Sequence, residues 1–512
     1  MKTYFKCLLA ILFVGYLAPV TQTLATTSEG STTLHETQEP TSEELGKSTD
    51  QQIPQATISP ATSGKQVDQP PTWLALPFIC LLLMIATGPL LYARFWHQHY
   101  AKLTIGLAGF VMAYYIFRMH SLARPFEALM EYLQFIALIS ALYMAAGGIF
   151  IKIRRHRYPA VINVGILLMG AILSNLIGTT GASMLLIRPY IRFNRHRSKV
   201  FHIIFFIIIV SNIGGALTPI GDPPLFLGFL KGVPFFWALR HNLQPWLLIL
   251  SLLIVAFYVF DANRPEDDNP PAIPADKPIL TILGKRNFFW LMIIILAVFI
   301  DPHIFNWVPA IYYDGHSFSF VREFILFSVA GLCYYCASKP ALQSNEFSFA
   351  PLREVILIFI GIFGTMVPAL TLISTYAQSP ATSAMITPNT LYWSAGIFSS
   401  ILDNAPTYLN FLAASMASQG ADLANPADVQ AYAMGGLFAH SVLRLKAISI
   451  ASVFFGAMTY IGNGPNFMVK SIAEHSGIPM PSFFGYTMRF AVPLLLPLLF
   501  VVWLIYFFFI YI

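Results

Sequence analysis

Charge is what this sequence has least of. Asp, Glu, Lys and Arg supply 11% of its 512 residues, and 56% of positions are hydrophobic, whereas about a quarter of residues are charged in soluble globular chains. That composition excludes a water-soluble domain and places the chain in lipid. Cysteine is scarce too: Cys7 falls in the leader, and Cys80, Cys333 and Cys336 fall inside apolar runs, so no disulfide framework exists. Cys333-Tyr-Tyr-Cys336 has redox or zinc spacing, but no second ligand pair accompanies it, and both thiols read as small apolar side chains on one helix face. Glycine-rich phosphate loops, nucleophile elbows and zinc motifs are missing. Nothing points to an enzyme or a resident cofactor. The net charge of +6 does not signal nucleic acid, because the lysines and arginines sit at the ends of apolar runs, where they orient spans.

What is present is a series of apolar runs, most near the ~20 residues that one helical span needs. They are too long, and alternate too little, for transmembrane β-strands. Residues 1–25 read as a signal peptide, and the Ser-, Thr-, Glu- and Pro-rich residues 26–71 as a disordered extracytoplasmic segment. From Trp73 three spans are predicted: Trp73 to Ala93, Leu103 to Phe117, and Ala128 to Ile151. The third ends at the basic cluster Lys152 to Arg157 on the cytoplasmic side. A second cluster, Arg188 to Lys199, follows after roughly thirty apolar residues, too few for the ~40 of two spans. A re-entrant hairpin is the consequence, with its tip at Ser174-Asn175-Leu-Ile-Gly178-Thr179-Thr180-Gly181.

The next run is broken by Ser211-Asn212-Ile-Gly214-Gly215-Ala-Leu-Thr218-Pro219-Ile-Gly221-Asp222-Pro223-Pro224. Three glycines and three prolines between positions 214 and 224 predict two half-helices joined by unwound backbone. Leu243 to Phe260 completes the first repeat, residues 72–260. A polar linker at 261–286 on the cytoplasmic side divides the chain, and residues 287–512 form the second repeat. There the apolar stretch Leu391 to Ala417 lies between two loops without lysine or arginine and reads as a second hairpin, entered from the opposite face, with its tip at Ser399 to Thr407. Gly215–Phe226 aligns without gaps to Gly456–Phe467, with seven of twelve positions identical. An odd number of spans per copy inverts the second. The predicted fold is an all-α polytopic membrane protein of two inverted repeats, about ten spans plus two hairpins, multi-pass in the cell inner membrane. Arg444 and Lys446 fit this walk poorly, and Asp428 to Lys446 is read as an interfacial helix.

Two carboxylates, Asp222 and Asp403, lie inside the polar breaks. An aspartate at bilayer depth costs about 2.5–3.5 kcal/mol on insertion scales and so needs a partner, a proton or a water-filled site. Either could instead cap a half-helix. Around them stand Ser174, Asn175, Thr179 and Thr180 at the first tip, Ser400, Asn404 and Thr407 at the second, and Asn212, Thr218, Gly221, Thr459, Gly462, Asn463 and Asn466 in the breaks. Half-helix ends and unwound carbonyls suit a transported cation, with Asp222 and Asp403 as sodium ligands. Asp301 reads as interfacial, and His120, His202, His303 and His440 as structural.

At these residues the sequence resembles the ion transporter superfamily, which includes NhaD-type sodium/proton antiporters, citrate and dicarboxylate carriers, and arsenite permeases. Asn212 to Asp222 is similar to the Asn-x-Gly-Gly-x-x-Ser/Thr-Pro-x-Gly-Asp stretch of the NhaD type. Asp403-Asn404-Ala-Pro406-Thr407 resembles its hairpin, and Ser174-Asn175 with Thr179 the Ser-Asn-Thr tips of dicarboxylate carriers. The resemblance implies a homodimer in which hairpins and broken helices move together like an elevator. The expected function is sodium/proton exchange, one carboxylate holding either ion in turn. Ion-coupled uptake of citrate or another small organic anion, and arsenite efflux, are the alternatives.

Overall fold

The computed structural model describes residues 69–153, 159–195, 199–262, 280–302, 305, 307–313 and 316–509. The signal peptide, most of the segment 26–71, Arg154–Arg157, His196, Arg197, His303 and linker residues 263–279 lie outside them. The protein is all-α and polytopic. Eight helices among the described residues are long and apolar enough to cross a membrane, and Val200–Gly215 and Arg286–Val298 are apolar but shorter.

After a 3₁₀ turn at Thr72–Ala75 come α1 (Leu76–Leu91), α2 (Ala93–Phe117) and α3 (Ala123–Gly147). Only Tyr92 separates α1 from α2, so Arg94, His97, His99 and Lys102, between the two predicted spans, are part of α2. β1 (Phe150–Ile153) follows and pairs antiparallel with β2 (Leu280–Leu283), Phe150 opposite Leu283. The linker is thereby tied to the end of the third span, which the apolar pattern had run on to Ile151.

α4 (Pro159–Phe193) is helical on both sides of Gly178, whose φ of 76° and ψ of 154° break it. Asn163 and Asn194 exchange amide hydrogen bonds of 2.9 and 2.8 Å. A straight helix would hold residues 31 apart roughly 46 Å from each other. The segment therefore doubles back at Gly178, a conformation that only glycine adopts without strain. α5 (Val200–Ile209), a 3₁₀ turn at Ile213–Gly215 and α6 (Pro223–Lys231) form the first broken helix, and α7 (Trp237–Ala262) follows. Asp261 belongs to α7 rather than to the linker and is fully buried.

The second half begins with α8 (Arg286–Val298), β3 (Ile311–Tyr313) paired with β4 (His316–Phe318), and α9 (Val321–Tyr335). Then come α10 (Lys339–Ser344), α11 (Ala350–Ala377) and α12 (Pro380–Met385). Asp301 pairs with the buried Arg322 at 2.9 Å. α13 (Pro388–Ile401) and α14 (Asn404–Ala417) reverse through Leu402 and Asp403 and pack on each other. The outer ends converge where Ser383 Oγ donates to Ser418 O at 3.0 Å. α15 (Pro426–Met434) is short, and Arg444 and Lys446 belong instead to α16 (Ser441–Phe455). No single helix therefore covers 428–446: His440 takes a left-handed φ of 54° between the two. A 3₁₀ turn at Gly456–Met458 and α17 (Gly464–His475) complete the second broken helix, and α18 (Phe483–Phe508) ends the described chain.

Packing divides these elements by role. α3 packs on α4, α9 and α11, while α11 packs on α2 and α14. Both hairpins thus lean on a wall made by α3 and α11.

Candidate functional site

The two breaks are held by the same bonds. In the first, Thr218 Oγ1 donates to Asn175 O (2.6 Å) and accepts from Gly221 N–H (3.1 Å). In the second, Thr459 Oγ1 donates to Ser400 O (2.6 Å) and accepts from Gly462 N–H (3.1 Å). Ser174 Oγ donates to Val210 O (2.7 Å) as Ser399 Oγ does to Ser452 O (2.6 Å). Asn175 adds Nδ2–H to Gly214 O at 2.6 Å, and Ser400 adds Oγ–H to Phe455 O at 3.3 Å. In this register Gly178 matches Asp403 and Thr179 matches Asn404. Glycine is required where the strands of backbone touch. A Cβ on Gly215 would meet Thr179 Cγ2 at 2.6 Å and Gly221 O at 2.7 Å. Thr179 N–H also donates to Gly221 O at 2.8 Å, fastening hairpin tip to break.

The bonds converge on one carboxylate. Asp222 accepts from Thr179 Oγ1 at 2.7 Å, Asn404 Nδ2 at 2.6 Å and Asn463 Nδ2 at 2.9 Å, so both hairpins and the second break meet on it. Asp222 occupies the N-cap position of α6 but does not cap it. Pro223 and Pro224, which lack N–H groups, open that helix, and the carboxylate is turned inward instead. Asp403 behaves differently: it caps α14, accepting from Ala405 N–H at 3.0 Å, and its carbonyl accepts from Thr407 Oγ1 at 2.9 Å.

Asn212 and Asn466 complete the centre. Asn212 Nδ2 donates to Asn466 Oδ1 at 2.7 Å and to Ile207 O at 2.8 Å, and Asn466 Nδ2 donates to Gly456 O and Thr459 O. The two broken helices are thereby cross-linked at their unwound turns. Oδ1 of Asn212 and Oδ1 of Asn404 are buried and have no hydrogen-bond partner among the described residues. Thr180 takes no part in the cage and lines a neighbouring cleft.

That cleft lies between the site and α3. One face of α3 (Phe135, Leu138, Ile139, Leu142, Tyr143) forms one side; residues Ile177 to Gly181, Pro219 to Pro223 and Phe226 form the other. Asp222, Thr179 and Thr180 are its polar end. Among the described residues neither Asp222 nor Asp403 has a Lys, Arg or His ion-pair partner, and no three His, Cys, Asp or Glu side chains group as a metal site. The side chains around Asp222 are a hydroxyl and amides, which donate to the carboxylate here and carry oxygens able to face a hard cation.

Some polar side chains at and near the site were not singled out in the sequence. Ser183 and Ser211 share a 2.7 Å hydrogen bond under the first break, and Ser211 O accepts from Asn463. At the base of the first hairpin Asn163 Nδ2 and His202 Nε2 both reach Asp261, at 2.8 and 3.0 Å. His202, read as structural, sits fully buried in that cluster. Isolated polar residues inside apolar runs were the available signal.

Residues 67–507 match the model of the CitMHS_2 family, described as "Putative citrate transport". No curated protein matches the chain.

Proposed function

We propose that this chain, which belongs to that citrate-transport family, is a secondary transporter whose working site is the cage around Asp222, and that it exchanges sodium for protons. The observation that carries the reading is the buried Asp222 carboxylate, held by three neutral donors and, among the described residues, by no cationic side chain. A buried carboxylate of this kind needs a positive partner that the described residues do not supply. A sodium ion or a proton supplies it, and because one carboxylate holds one or the other, the two fluxes are coupled. The orphaned Oδ1 atoms of Asn212 and Asn404 add ligands for the ion, and Asp403 adjoins Asn404 as a second carboxylate at that hairpin tip. Release to either side requires the hairpins to move relative to α3, and the apolar cleft against α3 is the surface along which that motion runs.

Cation-coupled uptake of citrate is the second reading, favoured by the family description. The absence of a basic ligand at either aspartate, among the described residues, weighs against a tricarboxylate in this cage. Purified protein in liposomes with an internal pH dye decides between them. Exchange predicts alkaline or acid shifts driven by a sodium gradient without citrate, lost in Asp222→Asn. A sodium gradient that moves protons only when citrate is added, with labelled citrate entering, would replace exchange by uptake.

A further inference from the structure

A row of polar side chains runs from the Asp222 cage to one end of the bundle between α14 and α16. On α16, Ser441, Ser449 and Ser452, continued by Gly456, fall within about 80° of one another around the helix axis. On α14, Asn404, Tyr408 and Ser415 fall within about 40°. The two helices pack together in opposite directions, so Gly456 lies by Asn404 and Arg444 by Ser418.

Several atoms of this seam are buried without a partner among the described residues: Oγ of Ser441 and Ser452, and Oδ1 of Asn212 and Asn404. Their residues are all at most 1% exposed. A serine in a helix ordinarily turns back to a carbonyl one turn earlier, as Ser400 does to Gly396 O. Ser452 makes no such bond. Asn212 Oδ1 lies 3.1 Å from where a Cβ on Gly456 would be, so that glycine keeps open the space its neighbours face. The Tyr408 hydroxyl interacts with Ser449 across the seam. At the outer end Ser415 Oγ bonds Tyr432 OH at 2.7 Å, and Arg444 Nη1 donates to Ser418 Oγ at 3.0 Å. Leu412 and Leu445, fully buried, stand between the inner and outer groups.

Four polar atoms along this internal line lack a partner among the described residues, and a buried polar group left unsatisfied is costly; water is small enough to serve the two serine hydroxyls, and the two amide oxygens whenever no ion is held at the cage. We propose that the seam between α14 and α16 binds a file of water molecules that carries protons between the outer end, at Arg444 and Ser418, and the Asp222 cage. A hydronium at the outer end passes a proton from water to water; Asp222 takes a proton as its sodium ion leaves, and one water is returned. The proton-carrying role rests on the exchange reading above; the water site does not.

The test separates them. Full-length protein in nanodiscs is exposed to X-ray-generated hydroxyl radicals, which label side chains beside bound water, and modified residues are read by mass spectrometry. Tyr392, fully buried with its hydroxyl bonded to Leu499 O, is the internal control. Tyr408 is expected to be modified at least several-fold faster than Tyr392, and Ser449→Ala/Ser452→Val to bring the two rates together. Tyr408 labelled no faster than Tyr392, or a rate the double variant leaves unchanged, overturns the water site. In liposomes the same variant is expected to lower proton flux several-fold with the sodium KM unchanged. Unchanged proton flux in a variant whose labelling has fallen overturns the relay. Lack of sodium/proton exchange in the unsubstituted protein removes the relay with the exchange reading, while the labelling result stands.

Discussion

Gly462 and Gly464 lie two residues apart in the second break and should respond oppositely to one added methyl group. A Cβ on Gly462 would come within 2.6 Å of Gly456 O and 2.7 Å of Ser399 O, both backbone atoms. Ordinary contact begins near 3.4 Å, so the break must open from itself and from the hairpin by about 0.7–0.8 Å. Overpacking of this kind costs about 1–3 kcal/mol. The displaced residue next in sequence is Asn463, whose Nδ2 holds Asp222 at 2.9 Å, and a hydrogen bond to a charged group contributes about 1.5–3 kcal/mol. Since about 1.4 kcal/mol is a tenfold change, Gly462→Ala should reduce ion affinity or turnover at least about tenfold. A Cβ on Gly464 meets nothing within 4 Å, so Gly464→Ala should transport like the unsubstituted protein. Initial rates over a range of sodium concentrations in liposomes, with thermal unfolding in detergent as the folding control, give the comparison. Equal rates for the two variants would refute the argument that backbone contact between break and hairpin sets the site.

Asp222→Asn and Asn463→Asp should each abolish exchange, the first by removing the central charge and the second by setting two carboxylates 2.9 Å apart; the double swap should restore a measurable fraction of it, because Thr179 and Asn404 occupy matching positions around the pair. Asn163→Leu should lower the unfolding temperature and speed amide exchange at both ends of α4, since it removes the donors to Asn194 and Asp261, at about 1.5–3 kcal/mol for the bond to the carboxylate. Lys231→Met should lower stability by no more than about 1 kcal/mol, given the partly exposed ion pair with Glu131. Its effect on transport should be matched by Glu131→Gln, and a Lys231→Glu/Glu131→Lys exchange should reverse it.

Local chemistry made the breaks legible. Proline and glycine between positions 214 and 224 cannot continue a helix, and the seven-of-twelve match located the second break. The same register carries over to hydrogen bonds at Thr218 and Thr459 that no sequence comparison contains. The difference between the two aspartates was not legible. Both read as intramembrane carboxylates with a capping alternative, and where the one that does not cap turns instead depends on Thr179, Asn404 and Asn463, which are 43, 182 and 241 residues from Asp222. Asp403 has Ala405 N–H in its own first turn, whereas Pro223 and Pro224 offer Asp222 none and leave it to Thr179, Asn404 and Asn463. The hairpin-base cluster was hidden for a similar reason. Its members at 163, 194, 202 and 261 span 98 residues, and Asp261 sits where an apolar helix meets an acidic linker, so composition assigned it to the wrong side.

The matched bonds also explain why only one of the matched positions 222 and 463 is acidic. If the two copies were chemically equal at the centre, positions 222 and 463 would both be acidic or both neutral. Two acids at 2.9 Å would repel unless a cation or a shared proton always stood between them. Two amides would leave Thr179 and Asn404 without an anionic acceptor and give a cation little to bind. One acid and one amide avoid both outcomes: the amide donates to the acid when no ion is bound, and its oxygen remains available when one is. Substitution at Asp222 therefore acts on the charge, whereas substitution at Asn463 acts on how that charge is held between ions.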